Sequence, residues 1–126
     1  MGGILTVAAE VKGVVGLVVD GAVRDAAELR DSSISVYARA VVPNGPHKGF
    51  GGSVNVPIQC AGVAVNPGDL IVGDDDGIVV IRPDQRDGLM DRCKARLAKE
   101  EAFVEKIRAG VSTIELQGLP PPEEIA

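Results

Sequence analysis

Arg24, Asp25 and Glu28 are the residues of this chain whose types and spacing best suit chemistry. They follow Gly16-Leu17-Val18-Val19, an apolar, β-branched stretch of the kind that makes a fully buried strand. Asp20-Gly21 carries turn chemistry and is expected to end that strand. If residues 22–29 are helical, Asp25 and Glu28 stand three apart on one face, with Arg24 beside it. A cationic fork next to paired acids suits a divalent metal and a small carboxylate substrate. The same charges also suit a solvated loop or an acidic first helical turn, which favours the macrodipole without any function. Spacing by itself favours that plainer reading.

The elements around the cluster follow from periodicity and breakers. Residues 4–12 read as a short helix with Ile4, Val7, Ala8 and Val11 on one face and Gly13 stopping it. Residues 14–19 form the strand before the cluster, residues 22–30 a short helix, and residues 34–40 a second strand. Glycine and proline crowd the loop at 41–52, so its backbone can approach another group closely. Strands are expected at 53–59, 63–65, 70–72 and 78–81, with Pro67-Gly68-Asp69 and Asp74-Asp75-Asp76-Gly77 as turns, in a compact β layer with hairpins. Pro83 suits the first position of a long helix reaching about Ala109. Its buried stripe would be Leu89, Cys93, Leu97, Val104 and Ile107, and Gly110 would end it. One domain over 1–118 is expected, with a proline-rich, acidic, flexible tail at 119–126.

Composition narrows the function classes. Hydrophobic residues make up 45% of the 126 and aromatics only 2%, so the core must be built from Val, Ile, Leu and Ala. A net charge of −5 argues against nucleic acid or an anionic membrane as partner, because both need a basic surface. Stacking platforms for single strands are missing too. Cys60 and Cys93 form neither a CxxC motif nor zinc spacing and read as two buried thiols in a reducing compartment, with a disulfide left open because sequence does not fix their distance. With no run of residues long enough to span a bilayer, the expectation is a soluble, cytoplasmic protein.

Three blocks carry a family resemblance: Gly13-Val14-Val15-Gly16-Leu17-Val18-Val19-Asp20-Gly21-Ala22-Val23-Arg24-Asp25, then Gly52-Ser53-Val54-Asn55-Val56-Pro57, then Val65-Asn66-Pro67-Gly68-Asp69 through Asp74-Asp75-Asp76-Gly77-Ile78-Val79-Val80. Together they resemble the RraA-like proteins. That family includes 4-hydroxy-4-methyl-2-oxoglutarate aldolases, oxaloacetate decarboxylases and ribonuclease E inhibitors. Its active-site pattern is an Arg-Asp pair, an acid three residues after the Asp, and a glycine or acidic position 21 residues before the Arg. Arg24, Asp25, Glu28 and Gly3 stand at those positions. The resemblance implies an α/β fold of the swivelling β/β/α type, with mixed short strands and a long C-terminal helix. It also implies a further N-terminal segment, so the chain reads as an N-terminally shortened member.

The implied chemistry is a class II aldolase or oxaloacetate decarboxylase. In the resembling aldolases the Asp25 position holds Mg²⁺, or another divalent metal such as Mn²⁺, which polarises the 2-oxo group and stabilises a pyruvate enolate. Arg24 would bind the carboxylate and carbonyl oxygen of a small 2-oxo acid; its plainer role is an ion pair with Asp25 or Glu28. Glu28 would orient metal waters or simply cap its helix. Backbone N–H groups of Gly3, Ile4 and Leu5 would receive the pyruvate carboxylate. Lys48 matches a family lysine near the substrate and otherwise is a solvated loop residue, as is His47. Glu100, or equally Glu101, would be the acid supplied by a neighbouring subunit of a homotrimer or a dimer of trimers; otherwise both belong to a solvated helical face. Asp74-Asp75-Asp76-Gly77 lacks the other ligands of an EF-hand loop and reads as a hairpin turn. The alternative function is a non-catalytic regulator that inhibits a protein partner such as ribonuclease E. An old family label, methyltransferase, is rejected, since the chain has no glycine-rich strand-to-helix loop.

Overall fold

The structure is a computed structural model that describes residues 1–121 and residue 123. Positions 122 and 124–126 of the expected tail lie outside the described residues. Chain contacts divide the molecule into two compact units, one ending at Gly68 and one beginning at Asp69. The expected domain at 1–118 spans both.

The first unit begins with helix α1, Gly3–Val11. Gly13, at φ +75°, lets the chain turn left-handed after it. Val14 N–H then donates to Ala9 O and Gly13 N–H to Glu10 O, the paired bonds of a glycine-terminated helix end. The face with Gly3 and Thr6 is the buried one, while Ile4 is 91% exposed and Val11 80%. Small groups turn inward because the backbone of Gly2 and Gly3 lies against the side chains of Arg24, Asp25 and Glu28.

Strand β1, Gly16–Val23, runs parallel to β2, Ser35–Val41, with α2, Ala26–Asp31, between them. The crossover is short, and Val23, Leu29 and Ile34 form the buried apolar centre where it closes. The expected end of the strand at Asp20-Gly21 is corrected. Asp20 and Gly21 are an irregularity within β1, since the register runs Val19↔Ala38 and resumes at Ala22↔Ala40. The short helix therefore starts at Ala26 rather than at residue 22. The expected full burial is also corrected, because Val15 is 84% exposed and Val18 44%.

β3, Ile58–Cys60, and β4, Val63–Val65, make an antiparallel hairpin. Its two loop residues, Ala61 and Gly62, both have positive φ, 51° and 85°, as hairpin turns that match strand twist require. The strand expected from residue 53 starts only at Ile58. Asn55 is left-handed at φ 57°, and Pro57 has no N–H to give a ladder.

The second unit opens with the hairpin β5, Leu70–Asp74, and β6, Gly77–Ile81. Its turn is the expected one: Asp74 Oδ1 accepts from Asp76 N–H at 2.9 Å and Gly77 N–H at 3.2 Å. Among the described residues the strands pair into three two-stranded sheets, with no ladder joining one pair to another. A single 3₁₀ turn, Pro83–Gln85, precedes helix α3, Leu89–Arg108. Gly88, at φ +66°, breaks what was expected to be one helix from Pro83. Arg92 bridges the break, donating from Nη1 to Asp87 O and from Nη2 to Gln85 O. No residue of α3 is buried. Leu97 is 58% exposed and Cys93 is exposed, which corrects both the expected stripe and the expected burial of that thiol; Cys60 is half-buried and both cysteines are free. A short helix not anticipated from sequence, α4 at Thr113–Gln117, starts on Ser112, whose Oγ accepts from Glu115 N–H. No described helix is long and apolar enough to cross a membrane.

Candidate active site

Arg24 and Asp25 occupy the junction between β1 and α2. Asp25 is the N-cap of α2 and sits in the left-handed region at φ 61°, ψ 42°. Asp is among the few residues with a side chain that tolerates this conformation. Its carbonyl oxygen still accepts from Leu29 N–H at 3.0 Å, which starts the helix. Its carboxylate does not cap α2. Instead Oδ2 accepts from Gly3 N–H at 2.9 Å and so caps α1, whose own N-cap, Gly2, has no side chain to do so. Arg24 Nε approaches the same oxygen at 3.4 Å, and the Arg24 backbone N–H donates to Met1 O at 2.8 Å.

Two glycines make this packing possible. A methyl group at Gly2 would lie 2.4 Å from Asp25 Oδ2 and 2.9 Å from Arg24 Cγ. One at Gly3 would lie 2.0 Å from Glu28 Oε2 and 3.8 Å from Asp25 Oδ2. Both carboxylates therefore lean into space that a side chain at residue 2 or 3 would fill. Gly3, Thr6, Glu10, Glu28 and Asp31 line a 240 Å³ hollow there. Gly45 of the glycine-rich loop runs past the guanidinium, where an added methyl would be 3.5 Å from Arg24 Nη1.

The other expected site residues are placed as follows. Leu5 N–H is taken by Gly2 O at 3.1 Å, and Gly3 N–H by Asp25, which leaves Ile4 as the one of the three amides without a partner among the described residues. Lys48 and His47 are exposed on the loop. Glu100 belongs to the second unit, where it pairs with Arg96 at 2.5 Å along α3; Glu101 is exposed beside it. The larger 610 Å³ cleft of the first unit is floored by Val23, Leu29 and Ile34 and is lined by none of Arg24, Asp25 and Glu28.

Asp25 offers one open carboxylate oxygen that a divalent cation could use. Asp25 Oδ2 is committed to Gly3 and Arg24, while Oδ1 accepts nothing from the described residues. No group of three His, Cys, Asp or Glu side chains gathers among the described residues. Mg²⁺ needs no such cage, since it commonly uses one or two carboxylates and keeps several waters.

Sequence reading missed Asp20. Its carboxylate pairs with Arg39 Nε across the β1–β2 irregularity and accepts Ala61 N–H at 2.7 Å. Those two partners hold the Asp20 carboxyl below its ordinary range, and Arg39 is raised in turn. The signal was in the sequence: Ala22-Val23 continues the apolar run beyond Asp20-Gly21, as a bulged strand does.

Residues 1–80 match the RraA-like family, described as Aldolase/RraA. The chain belongs to the RraA-like family. A 4-hydroxy-4-methyl-2-oxoglutarate aldolase of Thermus thermophilus is 42% identical over 81 residues, covering 64% of this chain and 49% of that one. An uncharacterized protein of Methanocaldococcus jannaschii is 38% identical over 109 residues, covering 86% of this chain and 52% of its own. Among solved structures, an unusual Streptomyces coelicolor member of the RNase ES inhibitor RraA family superposes with a TM-score of 0.69 at 30% identity, over 87% of this chain and 55% of that one. The mixed α/β fold with short strands and a C-terminal helix is thus the RraA-like one. This RraA-like chain spans about half the length of the curated relatives it matches.

Proposed function

We propose that the chain carries the site of a cytoplasmic, divalent-metal-dependent lyase acting on small 2-oxo dicarboxylates. The reaction would be cleavage of 4-hydroxy-4-methyl-2-oxoglutarate to pyruvate, decarboxylation of oxaloacetate, or both. One observation carries this reading: Arg24, Asp25 and Glu28 converge on the glycine backbone at the start of α1. A relative's name as an aldolase supports it.

Asp25 is the metal contact, through the oxygen that neither Gly3 nor Arg24 uses. A divalent cation there would act as Lewis acid on the substrate's 2-oxo group. Arg24 uses Nε on Asp25, so its Nη groups can grip the substrate carboxylate in a fork. Ile4 N–H, at the positive end of α1, adds a neutral donor for the same carboxylate. Glu28 orients water beside the cation, from the space that Gly3 leaves open. Lys48 and, from a neighbouring copy in a homotrimer, Glu100 are the further residues this reading assigns. Purified protein is incubated with oxaloacetate and Mg²⁺, beside Arg24→Ala and Asp25→Ala. The expected result is loss of decarboxylation in both variants and in chelator. Equal rates for all three proteins would end the enzyme reading.

A second reading is a regulator that inhibits an RNase-type partner, favoured by the solved relative described as an RNase ES inhibitor family member. Inhibition that survives Asp25→Ala would support it.

A further inference from the structure

We propose that Asp20, with Arg39, is a positioning residue that fixes where the Arg24–Asp25 pair stands. Between Val19 and Ala22, β1 has two residues, Asp20 and Gly21; between Ala38 and Ala40, β2 has one, Arg39. That extra residue is a β-bulge, and bulges are rare in parallel pairs. Gly21 does not account for it. Its φ is not positive, and an added methyl would meet only Val19 Cγ1, at 4.0 Å. What holds the extra residue is polar: Asp20 pairs with Arg39, the residue opposite, and its second oxygen takes Ala61 N–H from the β3–β4 turn. Ala61 itself is held at φ 51°.

The consequence reaches the site four residues on. Without the bulge, Ala22 would stand opposite Val41 in place of Ala40. Everything after it would slip by one residue, roughly 3.3 Å along the strand. A one-residue slip also reverses the direction of each side chain. Asp25 Oδ2 could then not receive Gly3 N–H, nor Val23 O the N–H of Val42. Arg39 and Asp20 are both exposed enough to be replaced without opening the Val23–Leu29–Ile34 centre. Only the kinetic consequence of this inference rests on the lyase reading; the geometric one does not.

The test follows the Gly3 amide by NMR in wild type, Asp20→Asn, Arg39→Gln and the double variant, each also titrated with Mn²⁺ alone. In wild type, Gly3 N–H is expected to show the shift and slow exchange of a carboxylate-bonded amide. Each single variant is expected to speed Gly3 exchange at least about tenfold, and the double variant to do no worse than the worse single, as coupled residues do. Amides of the β5–β6 hairpin serve as the control and stay unchanged. For kinetics, oxaloacetate turnover is expected to fall on the order of 100-fold in kcat with little change in KM, the effect of misplacing groups by an ångström or more. An unchanged Gly3 amide in Asp20→Asn overturns the proposal. So does a loss of protection spread evenly over α1 and the control hairpin. If Mn²⁺ leaves wild-type resonances untouched, the lyase reading fails while the Gly3 result still decides the role of Asp20.

Discussion

Gly3→Ala separates the stability of α1 from the arrangement of its acids. The new methyl would sit 2.0 Å from Glu28 Oε2 and 3.3 Å from Glu28 Cδ. An ordinary C···O contact is about 3.3–3.6 Å, so the carboxylate must retreat by roughly 1.3 Å or more. Glu28 is exposed and flexible, and turning it costs about 0.5–1.5 kcal/mol at most. Gly3 is helical with no positive φ, so alanine there gains about 0.4–1 kcal/mol from the unfolded chain. The two contributions nearly cancel, and the melting temperature is expected to change little. The site changes more, because Glu28 leaves the hollow beside Asp25. Groups that orient a metal's surroundings are typically worth about 10–100-fold in affinity or activity. Mn²⁺ affinity and Mg²⁺-dependent oxaloacetate decarboxylation are therefore expected to fall about 10–100-fold, measured by titration and by loss of oxaloacetate absorbance. Wild-type affinity and rate in a folded Gly3→Ala protein would refute the assignment of Glu28. A large drop in melting temperature would refute the assumption that Glu28 moves freely.

Arg24→Lys keeps the charge but loses the fork, so KM for oxaloacetate should rise about tenfold while kcat changes less, seen in steady-state kinetics. Asp20 has its carboxyl lowered from 3.8 by Arg39 and the Ala61 N–H. The protonation of a depressed acid costs stability only as pH falls, so its tether is fully present above about 3.8 and is lost as pH drops through the lowered folded value. Exchange protection at the Ala61 amide should hold from neutral pH to that range and disappear below it. Leu29→Ala removes a buried side chain and should cost about 2–5 kcal/mol by denaturant unfolding. Leu97→Ala, on the open face of α3, should stay within about 0.5 kcal/mol for the isolated chain; a larger cost, together with a multiple of the chain mass in solution, would place that face in an interface between copies.

Local chemistry was legible where neighbours in sequence decide it. Gly13 and Gly110 end their helices with left-handed turns, and Asp74 closes the β5–β6 turn through its own side chain. The Arg24–Asp25–Glu28 cluster was legible as charge at a strand exit, and the family blocks gave it a chemistry. Burial was not legible in the same way. Val15, Ile4 and Leu97 have apolar spacing, yet each is exposed, because periodicity reports only which residues share a face. Whether that face is covered depends on what packs against it.

The inventory could be read from the residues alone: the acids, the arginines, the helix stops and the family pattern that orders them. Their relation across the chain is set by the fold. Asp25 caps α1 instead of its own helix because Gly3, 22 residues away, brings an unpaired amide to it. Glu28 reaches the same place because Gly3 has no side chain. Asp20 is not a turn residue because Arg39 and Ala61 supply a cation and an amide that the local sequence does not contain. A hydrogen bond needs both partners within about 3 Å, and distance in space between remote residues is what folding alone sets.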